Sequence, residues 1–270
     1  MELLNKIIAA VLLVGMAAIL YFALKPNKEV TGVVLPHHLF VEKYIDEFYR
    51  ELSSENDFEN IILLSPNHFN TGFSYIQTTQ KTVDDFVLDE RKLRFLGIEK
   101  NDFEKEHGIN NQYVFIHKYF PDAKVFPIII KEKTPQTRLE ALISYLKQIN
   151  TGRTLIIASL DFSHYTAEET ALINDKRMTE WFENLDVNLT SDELFNKTIA
   201  IAKNSDPSDE NGIAVDSPET LYVFVSLMSD SGLTKGGIWK RTSSASLTGI
   251  SDPEQNTSHI FAIFKKNQET

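Results

Sequence analysis

Cysteine is absent from the 270 residues. That excludes disulfides, thiolate zinc sites and a cysteine nucleophile. It fits either an oxidising compartment or a chain that avoids thiols, and does not choose between them. Basic residues are also outnumbered, with 27 Lys and Arg against 38 Asp and Glu and a formal net charge of −11. Without residues 1–28 the balance is 24 basic to 37 acidic residues, or −13. Nucleic-acid affinity rests on Lys and Arg meeting phosphates. No basic stripe interleaved with aromatics occurs, so nucleic acid is excluded as a partner. Several catalytic signatures are missing too. There is no Gly-x-Ser-x-Gly elbow, no Gly-x-x-x-x-Gly-Lys phosphate loop, no Gly-x-Gly-x-x-Gly turn and no His-Glu-x-x-His helix. A serine triad built on Ser65 or Ser163 finds nothing in its favour.

A hydrophobic fraction of 42% is ordinary for a globular chain and allows a sizeable core. One feature departs from that ordinary pattern. Ile7 to Leu24 is an unbroken apolar stretch of 18 residues, flanked by Lys6 on one side and by Lys25 and Lys28 on the other. That is about the minimum for a membrane-spanning helix and exceeds the roughly 7–15 residues of a signal-peptide core. The expectation is a signal anchor over residues 1–28 that ties the protein to a membrane and leaves the domain outside the cytoplasm. A cleaved signal peptide is the alternative. Pro26 to Val30 then reads as a short linker into one domain covering 30–270.

Within that domain, short apolar runs alternate with helical patterns. Strands are expected at Gly32–Leu35, Ile61–Leu64, Lys124–Ile130, Thr154–Ala158 and Ile260–Phe264. A helix follows Pro135, because Leu139, Leu142, Ile143 and Leu146 repeat at helical spacing. Thr166 with Glu169 and Thr190 with Glu193 have capping-box form. Ser217-Pro218 opens another helix. The alternation predicts an α/β sandwich with a mostly parallel central sheet flanked by helices.

Three of the apolar runs lead directly into histidine: Pro36 into His37-His38, Ser65-Pro66-Asn67 into His68, and Asp161-Phe162-Ser163 into His164. In open α/β sheets, ligands bind beyond the carboxyl ends of the strands. Histidines gathered there make a metal or proton-transfer site. Non-haem iron is often held by two histidines and a carboxylate with open positions for substrate. His37 and His68 are the candidate imidazoles, and Asp216, Asp161 or Glu106 the candidate carboxylate. Glu106-His107 either lines the same cleft or belongs to a solvated charged run with Glu104 and Lys105. His117 reads as a helix-surface residue. His259 begins the last strand, at what this reading takes to be the wrong end for the cleft.

Taken in order, these segments resemble the Memo-like family, protein B of the AmmeMemoRadiSam set. Leu35-Pro36-His37-His38 is similar to its Pro-His-Ala-Gly turn, and Leu64-Ser65-Pro66-Asn67-His68 to its Gly-Pro-Ser/Asn-His segment. Glu106-His107-Gly108-Ile109-Asn110-Asn111-Gln112 resembles its Glu-His-Ser-x-Glu-x-Gln block, with Asn110 where that family has Glu. Ser159-Leu160-Asp161-Phe162-Ser163-His164 is similar to its Ser-Ser-Asp-Phe-Ser/Cys-His motif. The resemblance implies a fold shared with class III extradiol dioxygenases. It also implies metal ligands at His37 and His68, with His164 handling protons. The family's third ligand is typically a cysteine, and the corresponding stretch here, Ala214-Val215-Asp216-Ser217-Pro218, offers Asp216 instead.

The expected protein is therefore a metal-dependent redox enzyme acting on a small molecule. Its divalent ion, iron first and copper or zinc next, sits on His37, His68 and Asp216. His164, Asp161, His107 and Glu106 line the reaction site. The competing expectations are a metal-binding or partner-binding protein without turnover and a metal-assisted hydrolase.

Overall fold

Apolar side chains on both faces of the central strands decide the architecture, because both faces then need cover. The computed structural model describes residues 30–89, 93–99, 103, 105–149, 153–186, 188–250 and 252–265. Among the described residues ten strands form one sheet. They are β1 (Val30–Leu35), β2 (Asn60–Pro66), β3 (Ile76–Thr79), β4 (Gly97–Glu99), β5 (Lys124–Ile130), β6 (Thr154–Ser159), β7 (Phe162–His164), β8 (Ile213–Val215), β9 (Gly236–Ser243) and β10 (Thr257–Phe264). The α-helices are α1 (Glu42–Glu55), α2 (Gln80–Asp85), α3 (His107–Tyr119), α4 (Gln136–Ile149), α5 (Glu168–Glu183), α6 (Ser191–Ala202), α7 (Pro218–Asp230) and α8 (Ser244–Thr248).

Alternate residues of the central strands enter separate cores. Val34, Ile62, Leu64, Ile128 and Ile156 pack with Leu139, Leu142 and Leu146 of α4 and with Phe224 and Met228 of α7. Val33, Leu35, Ile61, Leu63 and Ile157 pack with Ile45, Phe48 and Tyr49 of α1 and with Ile109, Phe115 and Ile116 of α3. Each such side chain stabilises the fold by roughly 1.5–3 kcal/mol through the water it leaves.

The sheet is mixed, which corrects the mostly parallel expectation. Only the central block β5-β2-β6-β1 and the β3–β4 pair run parallel. Beyond β1 the sense reverses: β10 is antiparallel to β1, to β7 and to β9, and β7 is antiparallel to β8. An apolar run carries no record of its direction, so Ile260–Phe264 announces a strand and not its sense.

The membrane anchor is a second correction. No helix among the described residues is long and apolar enough to cross a membrane. Ile7–Leu24 lies outside the described residues. The anchor, and the placement outside the cytoplasm that depended on it, are withdrawn.

Helix starts follow local chemistry. Thr190 and Glu193 form a full capping box on α6, and the Ser217 hydroxyl accepts the Thr220 N–H at the start of α7. Thr166 and Glu169 form no box. Helix α5 begins after Ala167, and the Thr166 hydroxyl is buried without a partner.

Register sets the geometry of the crevice. Leu35 pairs with Ser159 and Leu64 with Ala158, so β1, β2 and β6 end at nearly one level. His37, His68 and Asp161 each stand two residues past the end of their strand.

Candidate metal centre

His37 is buried, and its neighbours fix its proton. The Ser159 hydroxyl donates to the Gly108 carbonyl at 2.7 Å, so it accepts from His37 Nδ1 at 3.2 Å. The His37 Nε2 lone pair is therefore free. It faces Asp161 Oδ2 at 3.3 Å and Asp216 Oδ2 at 3.4 Å. Burial lowers the His37 pKa to about 3 against the pull of Asp216, and His68, His107 and His164 lower it further. The ring stays neutral and ready to donate a lone pair.

His68 is held from behind by Glu106. Nδ1 lies 2.6 Å from Glu106 Oε1, and the His68 backbone N–H donates to Oε2 at 3.0 Å. This directs Nε2 inward, 3.6 Å from Asp216 Oδ2. Burial alone would lower the His68 pKa, but the hydrogen bonds and charges of Asp216 and Glu106 raise it to about 10. One proton in the group thus rests on His68. Glu106 is buried, caps α3 by accepting the Gly108 N–H at 3.1 Å, and has both oxygens engaged. Burial would raise its pKa, but the hydrogen bond and charge of His68 hold it down.

His107 opens α3, its ring tilted 32° against that of His68 with ring centres 4.1 Å apart. Nitrogens from His37, His68 and His107 lie within 4.8 Å of one another, a spacing that can hold a metal ion. Burial and the charge of His68 lower the His107 pKa.

Asp161 and Asp216 are pinned to each other. The Asp161 N–H donates to Asp216 Oδ2 at 3.1 Å, and the Asp216 N–H donates to the Asp161 carbonyl at 3.1 Å. Asp161 Oδ1 accepts the His37 N–H at 3.2 Å. Asp216 Oδ1 is buried with no partner. Oxygens of both carboxylates and the unprotonated His37 Nε2 thus face one point, and the proton on His68, whose Nε2 lies 3.6 Å from Asp216 Oδ2, supplies the positive charge there. The donor set suits a divalent ion: nitrogen and oxygen atoms, one of them an orphaned carboxylate oxygen.

The sequence candidates divide by position. His37, His68, His107, Glu106, Asp161 and Asp216 come together. His164 sits on β7, where its Nδ1 meets Thr257 Oγ1 at 3.2 Å rather than any member of the group. Positive φ at Ser163 (24°) and Tyr165 (57°) bends the backbone on either side of it. His117 is exposed on the last turn of α3, on the helix surface as expected.

His259 is the residue the sequence reading misplaced. Because β10 runs against β1, its start lies at the carboxyl end of the parallel strands. His259 is fully buried there, and its Nε2 is 3.4 Å from His38 Nδ1. Burial lowers its pKa to about 4. No local signal in the sequence marks it, because the direction of β10 is set by its pairing with β1 and β9. Helix α3 supplies two further residues: Asn111 Nδ2 donates to the His37 carbonyl at 2.8 Å and Gln112 Nε2 to the Pro36 carbonyl at 2.9 Å. Both fasten the turn that presents His37.

A mixed α/β sheet whose strand ends gather three imidazoles and two carboxylates defines a protein with a metal-competent crevice. The Memo-like protein family matches residues 11–254, and the chain belongs to that family. A MEMO1 family protein of Caldivirga maquilingensis is 25% identical over 60% of this chain and 63% of its own length. Another, from Aquifex aeolicus, is 25% identical over 76% of this chain and 57% of its own. The chain thus spans less than two thirds of the length of these relatives. In fold it is similar to an uncharacterised protein, JW3007, from Escherichia coli K12. The TM-score is 0.52 and the identity 11%, over 87% of this chain and 99% of the other.

Proposed function

We propose that His37, His68 and Asp216 hold a divalent metal ion, with His107 in reach as a further ligand, and that this centre carries redox chemistry on a small molecule. One observation carries the reading: the Nε2 atom of His37 lies 3.3 Å from an oxygen of Asp161 and 3.4 Å from one of Asp216, whose other oxygen is buried without a partner. Bound iron would supply the redox chemistry and polarise a substrate oxygen. The protein's own part is positional. Ser159 holds the His37 tautomer, Glu106 aims His68, and the Asp161 backbone steadies Asp216. His164, at the margin, is the group we assign to move protons at its Nε2. His107, partly exposed, faces the solvent side, where a substrate enters.

The test is metal analysis of the purified protein, with oxygen uptake measured on a panel of catechol-like compounds. One iron per chain with oxygen consumption supports the reading. Tight copper without turnover makes the protein a binding protein, and stoichiometric metal unchanged in both His68→Ala and Asp216→Ala removes the assigned ligands.

Two smaller expectations follow from the geometry. Glu106→Gln keeps one ion per chain but weakens its affinity about 10–100-fold, the usual worth of a carboxylate behind a metal-bound histidine. Equilibrium dialysis measures it. Metal uptake also depends on pH in a stated direction. Below about 10 the free protein carries a proton on His68 that a metal must displace. Affinity therefore falls about tenfold for each pH unit lowered, while His37, already neutral down to about 3, adds nothing to the slope. Calorimetry at pH 7 in buffers of different ionisation enthalpy should report about one proton released per ion.

A further inference from the structure

Given a metal-held small molecule in the crevice, as proposed above, we infer that His38 Nε2–H binds an acceptor oxygen of that molecule and that His259 is the residue that positions His38 to do so. His259 is fully buried on β10, and its Nδ1 has no hydrogen-bond partner. Its Nε2 lies 3.4 Å from His38 Nδ1, and the two rings are nearly coplanar, at 7° with centres 5.5 Å apart. One hydrogen joins them edge to edge.

The place of that hydrogen follows from burial. Burial lowers the His259 pKa to about 4, so the ring is neutral and carries a single N–H. On Nδ1 that N–H would be buried without an acceptor, which costs more than the bond between the rings returns. It therefore sits on Nε2 and donates to His38 Nδ1. A neutral His38 that accepts at Nδ1 keeps its own hydrogen on Nε2. His38 is also fixed in place: Phe40 stacks on its ring at 6.1 Å, and its carbonyl accepts the Val41 N–H at 3.1 Å. The residue is exposed, and among the described residues no hydrogen bond engages its Nε2. It follows His37 directly in the chain, and Asp161, His37 and His164 all act on the charge of His259. The pair thus borders the metal group on its open side. The metal group itself is rich in acceptors, so a fixed donor beside it suits a ligand with neighbouring oxygens, one for the metal and one for His38.

The experiment has a metal-free arm and a loaded one. Nuclear magnetic resonance of the full chain with isotope-labelled histidine, at pH 8 and without metal, reads which nitrogen of each ring carries hydrogen. The wild type should show it on Nε2 of both His259 and His38. In His259→Phe, with circular dichroism unchanged, the His38 nitrogens should move toward the averaged values of a freely exchanging ring. His259→Gln, whose amide can still donate, should restore them in part. The loaded arm titrates 4-nitrocatechol, a coloured catechol, into the iron-loaded chain without oxygen. His38→Ala and His259→Phe should each weaken its binding about 3–10-fold, the usual worth of one hydrogen bond, with metal content unchanged. The double variant should bind no more weakly than His38→Ala, because His259 acts only through His38. Hydrogen on Nδ1 of His259, His38 nitrogens indifferent to His259→Phe, or 4-nitrocatechol binding untouched in His38→Ala overturns the inference and leaves the metal centre standing. If the wild type takes up no iron, the metal centre fails, and the ring nitrogens alone decide whether His259 positions His38.

Discussion

Asp216→Ala is expected to strip the protein of its tightly held ion, lowering affinity beyond the roughly 10–100-fold that groups behind a ligand are worth. An oxygen of Asp216 approaches both inward imidazole nitrogens, at 3.4 Å from His37 and 3.6 Å from His68. Its other oxygen is buried and without a partner. Removing the carboxylate removes a ligand and the charge that balances the ion. Asp216→Asn separates these contributions, since the amide keeps an acceptor oxygen and loses the charge. It should fall between wild type and alanine. His117→Ala, on the exposed face of α3, should leave the affinity where it was. Metal content after dialysis and competition with a chelator give the ranking. Equal affinity in wild type and Asp216→Ala would remove Asp216 from the ligand set.

The same substitution should also lower the free protein's stability near neutral pH. Asp216 accepts the Asp161 N–H at 3.1 Å and, with Glu106, holds the proton on His68 whose pKa it raises. Asp216→Asn, which keeps an acceptor oxygen, should recover part of that loss, and urea denaturation of the metal-free proteins measures it.

Much of this crevice was legible because its parts sit at a fixed offset from strand ends. A strand that ends in Leu35-Pro36 or Ser65-Pro66-Asn67 must turn, and the residue after the turn lies in the crevice. What spacing cannot carry is the pairing sense of strands distant in sequence. Placing His259 at the far end of the sheet requires β10 to run with its neighbours, and its antiparallel course against β1 reverses that placement. The mixed sheet is the same lesson at larger scale. Strands β3, β4, β7 and β8 are only three or four residues long, too short for alternation to stand out. Thr166 shows the limit for helix signals. Its carbonyl accepts from Asn256, ninety residues away, and that contact draws the turn away from a capping box. The role of Ser159 also escaped notice, since only the structure brings the Gly108 carbonyl to its hydroxyl and so decides the tautomer of His37.

Arg241→Met should destabilise the fold by about 3 kcal/mol, because it leaves a buried charge without its partner. Arg241 Nε donates to Asp175 Oδ2 at 2.7 Å and its guanidinium reaches Glu168 Oε1 at 2.8 Å. Asp175 is buried on α5, and its Oδ1 accepts from Ser163 at 3.2 Å and Ser258 at 2.8 Å. That carboxylate thus joins α5 to β7, β9 and β10 behind His164. It holds Ser163, one of the positive-φ residues beside His164, a conformation that costs of order 1–3 kcal/mol unless its surroundings enforce it. Burial already pushes the Asp175 pKa up despite Arg241. Without Arg241 it rises further, and the folded variant then binds a proton that the unfolded chain, with an ordinary carboxylate, releases. Between those two pKa values stability falls as pH rises, so the penalty should be larger at pH 8 than at pH 5. Asp175→Asn combined with Arg241→Met should recover part of the loss by removing the stranded charge. Urea denaturation of the wild type and the two variants at both pH values measures all of this. A penalty that is the same at pH 5 and pH 8, and is not relieved in the double variant, would mean that Arg241 stabilises the fold through the packing of its stem.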